Sequence, residues 1–208
     1  MSEAHPRTTV CGLVLLAVVA GAAAGCGSPA PGALRGAAQG YLLTIDQLPS
    51  PDFTVYQAPA AVGVGWLDKE GAASLGRDGF VQAATVEYYR QVALDTSNGP
   101  ITVTAAVARF AAAGGAAAAM SLLDTALDHR SGAAAVSTGP LGDGGHAITQ
   151  MSTLDGVSVS QIVMVWRVDN LVNSITGQGR FGGITLDDLL TVARAQTADE
   201  EQAGPTAS

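Results

Sequence analysis

Four consecutive apolar residues, Val163, Met164, Val165 and Trp166, sit inside a segment, residues 157–167, that is bracketed by two short turns. Neighbouring side chains on a strand point to opposite faces, so this run needs apolar surroundings on both sides and belongs inside a sheet, in a central position. The turns fix its partners. Asp155-Gly156 is a favoured two-residue hairpin turn and Asp169-Asn170 fits a second. Residues 147–154, 157–167 and 171–176 are therefore expected as three antiparallel strands.

The rest of the chain supplies more of the same. Residues 53–58 (FTVYQA) and 80–90 (FVQAATVEYYR) are rich in aromatic and β-branched residues and read as strands. In 101–110, Ile101, Val103, Ala105 and Val107 fall on one face and Thr102 and Thr104 on the other. After Gly114-Gly115 the period changes to that of a helix: Ala116, Ala119, Met120, Leu123 and Leu127 form one stripe, ending near Arg130 and Gly132. Thr185 caps a last helix to Ala198, with Asp187 and Asp188 in its first turn and Leu186, Leu189, Leu190 and Ala193 inward. Thr44 to Gln47 has capping-box spacing, and 67–75 suits a short helix capped by Asp68. Hairpins without regular βαβ alternation predict a single α+β domain. The expectation is a mainly antiparallel sheet of about five or six strands with two main helices packed on one face. The other face is expected to be polar through Thr102, Thr104, Ser158 and Ser160.

The amino terminus addresses location. Residues 10–25 (VCGLVLLAVVAGAAAG) carry no charge and have the length of a secretory apolar region. Ala23-Ala24-Gly25-Cys26 resembles the lipobox of bacterial lipoproteins. That resemblance implies diacylglycerol on the Cys26 thiol, cleavage between Gly25 and Cys26, and acylation of the new amino group, for example by palmitate; two acyl chains anchor stably where one is marginal. The implied location is the cell membrane, on its extracytoplasmic face. Cys11 and Cys26 are the chain's two cysteines. A domain cut at Cys26 has no free thiol for a disulfide, a nucleophile or a thiolate metal site. Eighteen acidic against ten basic residues give a net charge of -8, which excludes phosphate-backbone binding, so no nucleic-acid partner is expected. The charge is unchanged when the leader, with Glu3 and Arg7, is removed. Residues 26–40 (CGSPAPGALRGAAQG) read as a flexible tether, 41–198 as the domain, and 199–208 as a frayed, disordered tail.

Candidate chemistry is sparse. Asp143 and His146 share a glycine-rich loop, Gly142-Asp143-Gly144-Gly145-His146, and are the candidate ligand-loop residues. Asp124 and Asp128 share a helical face next to His129, a trio read as a solvated face rather than a metal site. Trp66, Tyr88, Tyr89, Trp166 and Phe181 read as core rather than as a pocket for sugar or lipid. No nucleophile elbow, zinc helix or phosphate loop is present, so no catalytic residue, metal or cofactor is assigned.

The segments YLLTIDQLPSPDF, GPLGDGGHA, WRVDNLVNSI and LDDLLTVARAQ resemble those of uncharacterised cell-envelope lipoproteins of high-GC Gram-positive (actinobacterial) type. A more distant similarity is to the extracellular sensor domains of mycobacterial receptor Ser/Thr kinases, which are α+β and disulfide-bonded. These motifs mark a fold and not an activity; the anchor together with the absence of assembled catalytic signals leads to the expectation of a membrane-anchored, non-catalytic module that binds an envelope protein or ligand. The alternatives are an envelope hydrolase whose site is assembled only in the fold, and a lipid carrier, which requires a long apolar cavity between sheet and helices.

Overall fold

The structure, a computed structural model, describes residues 33–63 and 69–204. Its strands are β1 Phe53–Val62, β2 Phe80–Arg90, β3 Thr102–Phe110, β4 Ala133–Val136, β5 Gly145–Leu154, β6 Val157–Val168 and β7 Leu171–Arg180. They form one sheet in the order β1-β2-β3-β7-β6-β5-β4, and every neighbouring pair is antiparallel. The helices are α1 Lys69–Arg77, α2 Ala113–Asp128 and α3 Leu186–Ala203, with 3-10 turns at Ala38–Tyr41 and Ile45–Gln47. Asp155 and Gly156 both have positive φ, 50° and 80°, as a type I′ turn demands. At the second hairpin Asp169 has φ 51° while Asn170 does not.

This corrects the expected architecture in two ways. The sheet has seven strands, not five or six. The strand that periodicity missed is β4, Ala-Ala-Ala-Val, whose first three residues carry no strand preference and which is held by its pairing with Ala147 to Gln150 of β5. The helices also lie on both faces rather than one. Trp166, Met164, Val103, Ala105, Val107 and Ile175 pack with Leu189, Leu190, Val192 and Ala193 of α3. Their strand neighbours Val163, Val165 and Val172, with Ile148, pack with Ala116, Ala119, Met120 and Leu127 of α2 and Leu75 of α1. Strand β6 is interior as expected, although the middle position belongs to β7. Alternation also separates the four residues expected on one polar face: Thr102 and Thr104 lie on the α2 side, Ser158 and Ser160 on the α3 side.

Two glycines permit close approach. A Cβ on Gly177 would lie 2.8 Å from Leu189 Cδ2 of α3, and one on Gly115 would lie 1.8 Å from the carbonyl oxygen of Asp78, just beyond α1.

The α3 face needs more cover than one helix supplies, and the segment before β1 provides it. Leu34, Ala38, Leu42, Leu43 and Leu48 are buried against this face. At roughly 1.5–3 kcal/mol for each buried leucine, this is a substantial part of the core. The segment is also pinned by polar side chains. Asn170 Oδ1 accepts the Leu34 N–H at 2.8 Å, while its Nδ2 donates to the carbonyls of Leu34 at 3.1 Å and Phe110 at 2.7 Å. Gln82 Nε2 donates to Gly36 O and the Tyr88 hydroxyl to Leu43 O. Residues 33–40, expected in the tether, thus belong to the folded body. At the other end α3 runs on to Ala203, so residues 199–203, expected to fray, are helical.

Asn170 is fully buried. Asn170→Ala strips partners from three main-chain groups and should lower stability by about 2–4 kcal/mol in urea unfolding; an unchanged midpoint would mean the segment before β1 is not held this way.

Candidate functional site

Strand register on the α2 side produces cross-strand rows of side chains. One row reads Tyr89, Thr102, Gln178, Gln161, Gln150 across β2, β3, β7, β6 and β5. The next reads Glu87, Thr104, Thr176, Val163, Ile148. The third reads Thr85, Ala106, Ser174, Val165, His146. From the first row to the third the surface passes from polar to mixed, and α2 lies over the mixed part. Along β7, Ser174, Thr176, Gln178 and Arg180 are half-exposed, whereas Ile175, Gly177 and Gly179 between them are buried. The half-sheet holding the first row is not covered by a helix among the described residues.

The first row spans four interstrand gaps of about 4.8 Å, roughly 19 Å in all. It carries hydroxyls and amides and ends at Tyr89, which is 37% exposed and has its ring 6.4 Å from that of Tyr56. Among the described residues no side-chain hydrogen bond engages Thr102, Thr104, Thr176 or Gln178, whereas Gln161 Oε1 accepts from Arg130 Nη2 at 2.7 Å. Glu87 sits in the second row, and burial pushes its carboxyl above the usual range. Chemically this is a flat surface of neutral donors and acceptors with an aromatic edge, suited to binding and lacking a nucleophile paired to a base.

Beside it lies an apolar cleft between α1 and α2. One lobe is lined by Leu75, Phe110, Leu122, Leu123 and Ala126 over Ala108 and Val172. A second lobe shares Leu75, Ala108, Leu123 and Val172 and continues over Ala83 and Ala106 to Val163, Thr176 and Arg130. The small alanines of β2 and β3 leave this space open.

The residues singled out from sequence have other employment. Asp143 Oδ2 accepts the Asp169 N–H at 2.7 Å and pairs with Arg167 Nη1 at 3.1 Å, bracing the β6–β7 hairpin. His146 lies on β5 and turns instead to Asp128 of α2, with Nε2 3.3 Å from Oδ1, without hydrogen-bond geometry. No hydrogen bond or ion pair joins Asp143 to His146. His129 is exposed and its Nδ1 faces the Thr125 carbonyl, so Asp124 and Asp128 meet His146 rather than their sequence neighbour. Burial raises the Asp124 carboxyl, Asp128 adds to that, and His146 opposes it. No metal-holding cluster occurs among the described residues. Trp166 and Tyr88 are buried, Tyr89 and Phe181 exposed. Trp66, Asp68 and the lipobox residues Ala23, Ala24, Gly25 and Cys26 lie outside the described residues.

A buried carboxyl that sequence gave no reason to single out sits on the α3 face. Glu200 is 1% exposed; it accepts from Asn173 Nδ2 at 2.9 Å and from Gln196 Nε2 at 3.2 Å. Gln196 also reaches the Tyr41 carbonyl, which ties the cluster to the segment before β1. Burial outweighs these hydrogen bonds and pushes Glu200 up to about 8. It holds its proton at neutral pH.

No protein-family model and no curated protein matches this chain. Among solved structures it is similar to the extracellular domain of PknH from Mycobacterium tuberculosis, with a TM-score of 0.56 and 11% identity over 78% of this chain and 94% of that one. The likeness is of fold alone. Of the two resemblances drawn from sequence, the more distant one agrees with it in architecture. No described helix is long and apolar enough to cross a membrane.

The Glu200 carboxyl yields a pH prediction. Its folded pKa lies above the ordinary value of 4.5, so the folded state binds the extra proton between these limits. The stabilisation is full below pH 4.5 and is lost as pH rises through about 8. Within that window it falls by up to about 1.4 kcal/mol per pH unit. Urea unfolding of Glu200→Gln against the parent should show a stability difference that grows in favour of the variant from pH 5 to pH 8, as roughly set by that window; parallel curves would show that Glu200 is ionised in the fold.

Proposed function

We propose that this chain is a lipid-anchored, non-catalytic binding module on the extracytoplasmic face of the cell membrane, and that it receives its ligand on the half-open α2 side of the sheet. One observation carries the reading: the in-register row Tyr89, Thr102, Gln178, Gln161, Gln150, in which Gln161 meets Arg130 and Gln150 the Ser131 carbonyl while Tyr89, Thr102 and Gln178 have no side-chain hydrogen bond among the described residues. A sheet of this kind ordinarily buries or solvates its faces; a row of half-exposed amides and hydroxyls next to an apolar cleft has the composition of a recognition surface. Export and anchoring rest on the lipobox at Cys26, and the likeness to an extracellular domain supports the same side of the membrane. The reading favours binding over hydrolysis because Asp143 and His146 are engaged separately, in a turn and against α2.

Both halves are open to test. Cys26→Ser should appear in the medium or accumulate as unprocessed precursor, whereas unchanged mass with membrane retention would contradict lipidation. For the site, full-length chain is immobilised, exposed to envelope extract, and compared with a Gln161→Ala/Gln178→Ala variant of equal melting temperature. Bound material identified by mass spectrometry should be lost from the variant; equal recovery from both would remove this face from the function.

A further inference from the structure

The cleft beside the polar row says what class of molecule the α2 face takes. Its two lobes have volumes of about 50 and 70 Å³ and share four wall residues. At roughly 10–15 Å³ per water-sized group, that is space for a linear run of about eight to twelve such groups at most. The walls are aliphatic and aromatic: Leu75 from α1, Leu122, Leu123 and Leu127 from α2, Phe80 and Val163 from the sheet. Such a lining has no means of recognising a polar polymer. It differs from the core below it in being reachable from solvent, and Leu122 on its rim is 42% exposed.

The far end of the cleft is polar and cationic. Leu123 and Leu127 follow one side of α2 and Arg130 lies two residues past its end, so the guanidinium stands where the aliphatic wall ends. Thr176 and Ser174 form the floor there. Arg130 is half-buried and its hydrogen-bond partner is the neutral Gln161 Oε1. Among the described residues the one arginine–carboxylate ion pair is Arg167 with Asp143, and His146 is the side chain that meets Asp128; neither contact uses Arg130. Asp124 and Asp128 lie one position round α2, directed to His146 and β5. In a chain with a net charge of -8, a guanidinium without a carboxylate partner among the described residues, at the mouth of an apolar cleft, is complementary to an anion carried on a hydrocarbon chain.

We infer that the cleft binds a single-chain amphiphile with an anionic head, its acyl chain between α1 and α2 and its carboxylate or phosphate on Arg130, within reach of Thr176. The inference rests on the reading of the α2 side as the binding face and adds the ligand class. Fatty acids and lysophospholipids share this chemistry.

Photolabelling of the full chain, expressed with its own leader, tests it. The probes are a diazirine-bearing dodecanoic acid, the matching alkyl phosphate and the matching alcohol, with adducts mapped by mass spectrometry. The acid and the phosphate should label peptides from α2 and from β3 or β7, and the alcohol more weakly. Arg130→Gln, which keeps a hydrogen-bond donor for Gln161, should cut labelling by both anions about tenfold or more while leaving the alcohol unchanged. Ala108→Phe should abolish labelling by all three. If that variant loses cooperative unfolding, Leu123→Trp closes the same cleft from the opposite wall. Labelling by the phosphate but not the acid, or the reverse, assigns the head group within the class. No cleft label with any probe overturns the inference. So does anionic labelling that is indifferent to Arg130→Gln. In either case, loss of envelope ligand in the Gln161→Ala/Gln178→Ala variant would leave the binding-face reading standing, so the two claims fail separately.

Discussion

The central strands are apolar on both faces, and everything else in the molecule answers to that. Strands β3, β7 and β6 direct Val103, Ile175 and Trp166 to one side and Val172, Val163 and Val165 to the other. Two apolar surfaces on one sheet require two covers. On one side α3 and the segment before β1 together cover the central strands, down to the fully buried Trp166, and leave exposed only side chains toward the margins such as Val55 and Met151. On the other, α1 and α2 reach across part of the sheet, and the side chains beyond them turn polar in step with the register.

The cover by α3 and the segment before β1 explains the polar residues buried within it. A segment without regular strand or α-helix presents main-chain donors and acceptors to the core, and each needs a partner. Asn170 supplies them for Leu34, Tyr88 for Leu43 and Gln196 for Tyr41. Glu200 joins this set as a neutral acid, held so by burial. The residues from Leu34 to Leu48 are therefore built into the core ahead of the first strand.

Much of this was legible in the residues. The Asp155-Gly156 hairpin, the alternation of 101–110 and the helix after Gly115 all follow from local chemistry, and the structure places each where its periodicity puts it. What escaped was set by distant contacts. Strand β7 continues past Thr176 through Gly177 and Gly179, residues that weaken a strand alone but here admit Leu189 and Ile184. Residues 33–40 look like linker because Ala, Gly and Gln dominate them, yet Leu34 and Ala38 are enough to seat them on the sheet. The row from Tyr89 to Gln150 is drawn from five strands, so no single segment announces it; the polar alternation of Ser174, Thr176, Gln178 and Arg180 was its one local sign. The GDGGH loop is visible in the sequence as a turn entering a strand, and its Asp143 braces the β6–β7 hairpin.

Incomplete cover on the α2 side is the claim on which the functional account stands, and the chain offers a clean measurement of it. Its two native thiols, Cys11 and Cys26, both precede the described residues. Maleimide labelling of Gln178→Cys and Ile175→Cys, with adducts mapped by mass, therefore reports each face of β7 separately. The account predicts rapid modification of the folded chain at position 178 and none at position 175 until it unfolds. Protection of both positions in the folded protein would mean that the α2 face is sealed like the α3 face, and would contradict the account.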